Sequence, residues 1–469
     1  MAAPFEHARL LAGVSGLLRF ADDPLGRLED VRRQYGTRVF YEQLGIPFVI
    51  VMDPEGVEEL LVEHAGALNK DRFTGELGRV LGRGLVTSEG DLWRRQRKLM
   101  APSFQPKHIE KLAGVMVECS EALLADYQAG QTRDVHADMM RLTLDIVVST
   151  LFGSSPVRSD EVDEHLSAIM SDFHRLMFTW RAIFPIWTPF PTRLRLKRSR
   201  DRLQHIVREI IRTKRTSRTA SSDLLSRLIA VKDETGRGMS DAQLLDEALT
   251  VFLAGHETTA LALTYALCCL ARHPLALARL EEEVDAVLGD EPASLASVAR
   301  LEFCGAVVKE TMRLYPPAWA IGRSALEPIS IGGKEFTAGT QFMLPQWVVH
   351  RDPAWFAAPL DFLPERWLSQ GGQSIPRFAY FPFGGGPRIC IGNHFAMLEA
   401  TLALASIVRR VRLSLPAGFE FDLVPTITLR PRAPIQMYVD TRAPGSQAVM
   451  SAGQRVSSRS DSSRFDRSS

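Results

Sequence analysis

Cys390 stands in the run Phe383-Gly-Gly-Gly386-Pro-Arg388-Ile-Cys390-Ile-Gly392, a setting that can present a thiolate to a metal. A cation, backbone N–H groups and the positive end of a helix each favour the thiolate, and this segment offers all three. The glycines permit a tight turn and Pro387 fixes the approach to it. The run Asn393 to Ala405 predicts a helix, so Cys390 falls at its N-terminus. Arg388 can meet an anionic group beside the metal. No second cysteine lies close enough for a cluster. By itself such a cysteine also reads as a buried structural thiol, since free cysteine is among the most buried residue types.

Three further groups of residues could act together. Ala254-Gly255-His256-Glu257-Thr258-Thr259 lies in the middle of a long apolar run; there the Thr258 hydroxyl can bond the Ala254 carbonyl and open the helix locally, and Gly255 leaves room for a small ligand. Glu310-Thr-Met-Arg313 places an acid and a base on one helix face, which on an exposed helix would be a minor ion pair. Trp93 and Arg97 also share a helix face, and both can donate hydrogen bonds to a carboxylate.

The pattern F-x-x-G-x-R-x-C-x-G, continued by Phe395-Ala396, resembles the haem-binding loop of the cytochrome P450 family. Ala254 to Thr259 is similar to that family's oxygen-activation motif, and Glu310, Arg313 and Pro364-Glu365-Arg366-Trp367 match the network behind its haem loop. The resemblance implies haem b (iron protoporphyrin IX) with Cys390 as the iron ligand. It implies cofactor contacts from Trp93, Arg97, Ala254, Arg323, Phe383, Arg388 and Gly392, with Arg97, Arg323 and Arg388 on the two propionates. Thr258 would hold a proton-donating water and Glu257 would connect it to solvent. Position 367 is often phenylalanine in the family, so Trp367 is expected only to change packing. Arg94, Arg95 and Lys98 could form a basic docking surface, or simply a solvated face.

A haem held by one thiolate leaves its opposite face open for dioxygen, and the electron-rich sulfur favours O–O cleavage. The activity so implied is a monooxygenase that places one oxygen atom of O2 into a hydrophobic small molecule. The chain carries no flavin domain after the loop and no cysteine cluster, so electrons would come from a separate ferredoxin or flavodoxin with its NAD(P)H reductase. A peroxide-driven peroxygenase, a haem-thiolate isomerase or dehydratase, and a non-catalytic haem sensor or carrier are the alternatives. Retention of Glu257-Thr258 argues against them. Candidate pocket segments, Phe73 to Leu85, Phe173 to Phe190 and Ala318 to Ile321, are rich in apolar residues. Fatty acids and terpenoid-like molecules both suit them, although Leu44-Gly-Ile-Pro47 lacks a base to hold a fatty-acid carboxylate. Met177 to Trp187 reads as pocket mouth, core or weak membrane contact.

These groups need a scaffold. The sequence has 469 residues, 45% hydrophobic and 24% charged, ordinary for a globular enzyme with a large core. Fifty-six basic against fifty-five acidic residues give a net charge of +1, which does not point to nucleic acid. Five scattered cysteines form no disulfide framework and fit a reducing cytoplasm. Charged residues interrupt the N-terminal apolar run, so no transmembrane segment is expected. The longest helix candidate runs from Asp241 to Arg272, with a Ser240/Gln243 capping box and a His273-Pro274 stop; it would be about 50 Å long. Strand patterns occur at 39–51 and 329–344. The resulting expectation is a monomer of mainly α fold with a smaller β region and a long central helix over the haem. Residues 1–443 would form one catalytic domain, and 444–469 a disordered Ser/Arg-rich tail.

Overall fold

Asp241 to Arg272 folds as a single 32-residue helix. Ser240 accepts the Gln243 N–H at 3.2 Å, one half of a capping box. The other half is missing, because Gln243 Oε1 accepts from Arg95 at 3.1 Å. His273 leaves the helical conformation and Pro274 opens the next helix. The computed structural model describes residues 4–8, 11, 13–43, 45–153, 159–177, 190–216, 223–368 and 375–442. The tail expected at 444–469 and most of the segment 177–190 lie outside the described residues.

In chain order, the hairpin β1 (Arg38–Gln43) and β2 (Ile46–Val51) leads to strand β3 (Leu68–Asn69) and helices α1 (Arg72–Leu81), α2 (Gly90–Met100) and α3 (Ala113–Leu124). Strand β4 (Thr132–Asp134) precedes helices α4 (Val135–Phe152), α5 (Ser159–Met177) and α6 (Pro191–Thr216). The long helix is α7 (Asp241–Arg272), followed by α8 (Pro274–Leu288) and α9 (Glu302–Leu314). Strands β5 (Ile321–Ala325) and β6 (Gln341–Leu344) come next, then α10 (Asn393–Arg410), and last β7 (Val411–Ser414), β8 (Leu423–Pro425), β9 (Leu429–Pro431) and β10 (Gln436–Thr441).

The main sheet has the order Glu6–His7, β1, β2, β6, β5, β3. β2 pairs β6 in parallel although nearly three hundred residues separate them, bringing β5 and its Arg323 beside the N-terminal hairpin. One hydrophobic core surrounds α7 and a smaller one lies beneath this sheet. α7 is buried along most of its length, which leaves its central residues between packed helices rather than in solvent. Among the described residues no single helix is long and apolar enough to cross a membrane.

The C-terminal β structure is more extensive than the sequence pattern indicated. β7, β10 and β4 form a three-stranded sheet, and β8 and β9 a separate pair. Val411–Ser414 and Gln436–Thr441 do alternate buried with more exposed positions, but over too few residues to stand out from the sequence. Tyr265 of α7 donates to the Leu429 carbonyl at 2.7 Å, which fixes β9 against the central helix.

Candidate active site

The loop before α10 is closed by three backbone bonds: Gly384 N–H to Phe381, Ile389 N–H to Gly386 and Cys390 N–H to Phe383, at 2.9, 3.1 and 2.9 Å. Gly384 and Gly386 have φ of +71° and +64°, and a Cβ at 386 would fall 1.9 Å from the Leu61 carbonyl oxygen. Glycine is therefore required there. This turn sets Cys390 just ahead of α10, with the Gly392 N–H on its sulfur. Burial raises the Cys390 thiol above its ordinary range, while that N–H and the nearby Arg97 work in the opposite direction. The side chain is exposed, and what it faces is an internal cavity.

Behind the loop lies Glu310, fully buried on α9. Its carboxylate accepts from Arg313 at 2.9 and 2.8 Å, Arg366 at 3.0 Å, the Leu363 N–H at 3.0 Å and the Trp367 indole at 2.8 Å. Arg313 also donates to the His350 carbonyl at 2.8 Å. The His350 ring accepts the Phe381 N–H at 3.0 Å, and Gln346 donates to the Phe381 carbonyl at 2.7 Å. The network is thus tied to the first residues of the Cys390 loop. The expectation that Trp367 changes only packing is overturned: its indole N–H supplies a donor that phenylalanine lacks.

The cavity has a volume of about 390 Å³. Ala254, Gly255, Thr258 and Thr259 of α7 line one side, and Phe383, Cys390, Ile391 and Gly392 are also in its wall. Thr258 donates to the Ala254 carbonyl at 2.7 Å, as its spacing predicts, yet α7 continues through this point as regular helix. Leu85, Ala318 and Ile321, each from a segment expected to face a ligand, line the cavity too.

Trp93, Arg97, Arg323 and Arg388 meet at this cavity. They are joined by Lys70, which the sequence reading did not single out because nothing in its spacing connects it to the others. Lys70 donates to the carbonyls of Leu85 and Val86. Burial, then the charges of Arg388 and Arg323, lower its pKa to about 7. Burial and Arg388 lower Arg323 to about 10. Arg388 pairs with Glu89 and its guanidinium lies 4.3 Å from the Trp93 ring centroid. Arg97 makes no hydrogen bond or ion pair among the described residues. The carboxylates felt by Lys70 and Arg323 are Glu89 and Asp71, so three arginines and a lysine that is only partly protonated near neutral pH face two anions. Positive charge is therefore left over for an acceptor inside the cavity.

Glu257 stands off the cavity wall and is buried. Its carboxylate accepts from Arg430 of β9 and from Thr428 at 2.5 Å. Burial would raise its pKa, but these two partners outweigh burial and hold it below the ordinary range. The basic surface considered on α2 is largely neutralised within the chain: Arg94 pairs with Asp91 at 3.0 Å, Arg95 with Asp233 at 2.9 Å and Lys98 with Glu234 at 2.5 Å.

Comparison with known proteins agrees with this geometry. A family model described as Cytochrome P450 matches residues 8–437. Cyclooctatin synthase of Streptomyces melanosporofaciens is 35% identical over 404 residues, covering 84% of this chain and 87% of the relative. Cyclooctat-9-en-7-ol 5-monooxygenase of the same organism is 32% identical, covering 77% and 79%. Pentalenene oxygenase of Streptomyces avermitilis is 31% identical, covering 78% and 82%.

Proposed function

Because the chain belongs to the cytochrome P450 family of monooxygenases, whose haem b is held by a cysteine thiolate, we propose that Cys390 is the iron ligand and that a terpenoid is the substrate. The residues fit this cofactor. The Cys390 side chain faces the cavity, the walls are largely apolar, and the surplus of positive charge suits anionic propionates. Arg97, Arg323, Arg388 and Lys70 would hold those carboxylates by charge-assisted hydrogen bonds. Ala254, Phe383 and Gly392 would pack on the ring.

The bound haem supplies reductive activation of dioxygen and transfer of one oxygen atom to substrate, the other leaving as water. The protein supplies thiolate donation, substrate placement and protons. The Gly392 N–H at the sulfur tempers the donating power of Cys390. Thr258, facing the cavity from α7, holds a proton-donating water there. Glu257 serves as its link to solvent when it leaves Arg430.

The terpenoid reading is supported by the relatives' names, which concern cyclooctatin, cyclooctat-9-en-7-ol and pentalenene. It is also supported by the apolar distal lining and by the absence of a base at Ile46-Pro47. Electrons would come from a ferredoxin or flavodoxin with its reductase. The observation that carries the proposal is the meeting of Cys390, Thr258 and the surplus cations in one cavity. A spectral-shift panel tests the substrate class: cyclic terpenes should displace iron-bound water at lower concentration than fatty acids of equal carbon number. Tighter binding of the fatty acids would contradict it.

A further inference from the structure

Residues 82–89 join α1 to α2 and bring Leu85 and Val86 to the cavity wall. One edge of this loop rests on α7. The Arg83 N–H donates to Asp246 at 2.8 Å and the Leu85 N–H to Glu247 at 2.9 Å. The seat is close, since a Cβ at Gly82 would fall 2.1 Å from Asp246 Oδ1 and one at Gly84 would fall 2.0 Å from Thr250 Oγ1. Within the loop the Thr87 and Ser88 N–H groups donate to the Gly84 carbonyl at 3.0 and 2.9 Å.

The other edge hangs from the cations of the cavity. Lys70 donates to the Leu85 carbonyl at 3.4 Å and to the Val86 carbonyl, and Arg388 donates to the Ser88 carbonyl at 3.3 Å. Glu89, the last residue of the loop, ties the two cations together: it accepts the Lys70 backbone N–H at 2.7 Å and pairs with Arg388. Lys70 comes straight after β3, whose pairing with β5 anchors its backbone to the main sheet. An ammonium has three protons to donate. Two go to the loop, and among the described residues the third has no acceptor, at a point where Lys70 lines the cavity. Arg97 lines the same cavity without any bond to the loop.

We propose that Lys70 is a strut between cofactor and substrate: its remaining N–H takes a haem propionate while the other two hold Leu85 and Val86, so that haem occupancy stiffens the wall that meets the substrate. The proposal rests on the haem-thiolate reading, which supplies the propionate. A carboxylate beside Lys70 favours the ammonium form and makes a charge-assisted bond with it. Lys70 is then a positioning residue for the substrate as well as a counter-charge, because the backbone it holds carries two side chains of the pocket wall.

Amide hydrogen exchange of the haem-loaded enzyme, followed over residues 82–89, tests this. In Lys70→Met, which keeps an apolar stem, exchange at Arg83, Leu85, Thr87 and Ser88 should quicken about tenfold or more, as loss of bonds from a charged donor requires. Lys70→Arg, with donors for both ends, should restore most of the protection. Arg97→Met, which removes a cation of the same cluster without touching the loop, should leave the loop as it is. Phenylimidazole, whose phenyl ring must enter the pocket, should bind Lys70→Met about threefold or more weakly, because the competent wall is less populated. Imidazole, which needs only the iron, should bind as it does to the wild type. Should Lys70→Met fail to retain haem, the unaltered chain loaded with haem dimethyl ester, which lacks the propionate charges, carries the exchange measurement and should show the same quickening. Exchange unchanged in Lys70→Met, or equally quickened in Arg97→Met, overturns the strut. A wild-type carbon-monoxide spectrum of thiolate type keeps the haem reading in that case, and its absence would remove that reading instead.

Discussion

The indole N–H of Trp367 donates to Oε2 of Glu310 at 2.8 Å, and the same ring lies 4.3 Å, centroid to centroid, from that of Tyr380. Tyr380 in turn donates to the Lys309 carbonyl at 3.0 Å and leads directly into Phe381 and the Cys390 loop. One side chain thus joins the buried acid to the strand of backbone that carries the thiolate. Trp367→Phe should lower stability by about 1.5–3 kcal/mol, the value of a hydrogen bond to a charged group, while leaving a folded, haem-loaded enzyme. Thermal melting and the haem-to-protein ratio measure both effects. Glu310→Ala or Arg313→Ala should instead abolish haem incorporation, because removing one partner of a buried pair costs about 3–5 kcal/mol. Recovery of haem-loaded Glu310→Ala protein would contradict this.

Thr258→Ala is expected to keep substrate binding and NAD(P)H consumption but to divert electrons to hydrogen peroxide. The hydroxyl faces the cavity and is held by the Ala254 carbonyl, so its loss changes proton placement more than packing. Product and peroxide per NAD(P)H are the quantities to compare. Unchanged coupling would remove Thr258 from proton delivery.

Glu257 and Arg430 form an ion pair in which only the acid titrates below neutral pH. In the wild type the Glu257 pKa is depressed, so the pair stabilises the fold above the ordinary glutamate range and that stability is lost as pH falls through it. Arg430→Gln removes the main counter-charge, leaving burial to raise the Glu257 pKa. This variant should therefore be destabilised at neutral pH, by about 3–5 kcal/mol, and should recover relative to wild type on acidification. Melting temperatures from pH 4 to 8 test the crossing; parallel curves would contradict it.

His350 gives a second pH signature. Burial, then Arg313, lowers its pKa from 6.5 to about 3, so the folded protein holds it neutral. The unfolded chain takes up a proton below 6.5, and the stability associated with His350 is progressively lost from there toward pH 3. Since its ring accepts the Phe381 N–H, protonation also removes a support of the Cys390 loop. Acid-induced haem release should steepen through this window, and His350→Gln should flatten that dependence. An identical acid profile in the variant would contradict the assignment.

The parts of the site that were legible in the sequence are those set by local backbone. The glycines around Cys390, the helix spacing of Glu310 and Arg313, and the run 254–259 each carry their geometry within a few residues. The hairpin β1–β2 and the limits of α7 were legible for the same reason. The partners of Glu257 were not, because Thr428 and Arg430 lie 171 and 173 residues away, in a bend and on the three-residue strand that follows it. Lys70 reaches the cavity only because β3 pairs with β5. Trp367 was visible as a residue, but its role depends on where an indole nitrogen points.

The most direct test of the account is the absorption spectrum of the reduced, carbon-monoxide-bound protein, recorded for wild type and for Cys390→Ala. The wild type should show the red-shifted Soret band of thiolate ligation, and Cys390→Ala should lack it even where haem is retained. A wild-type spectrum without that band, or a band that survives in Cys390→Ala, would contradict the assignment of Cys390 as the iron ligand.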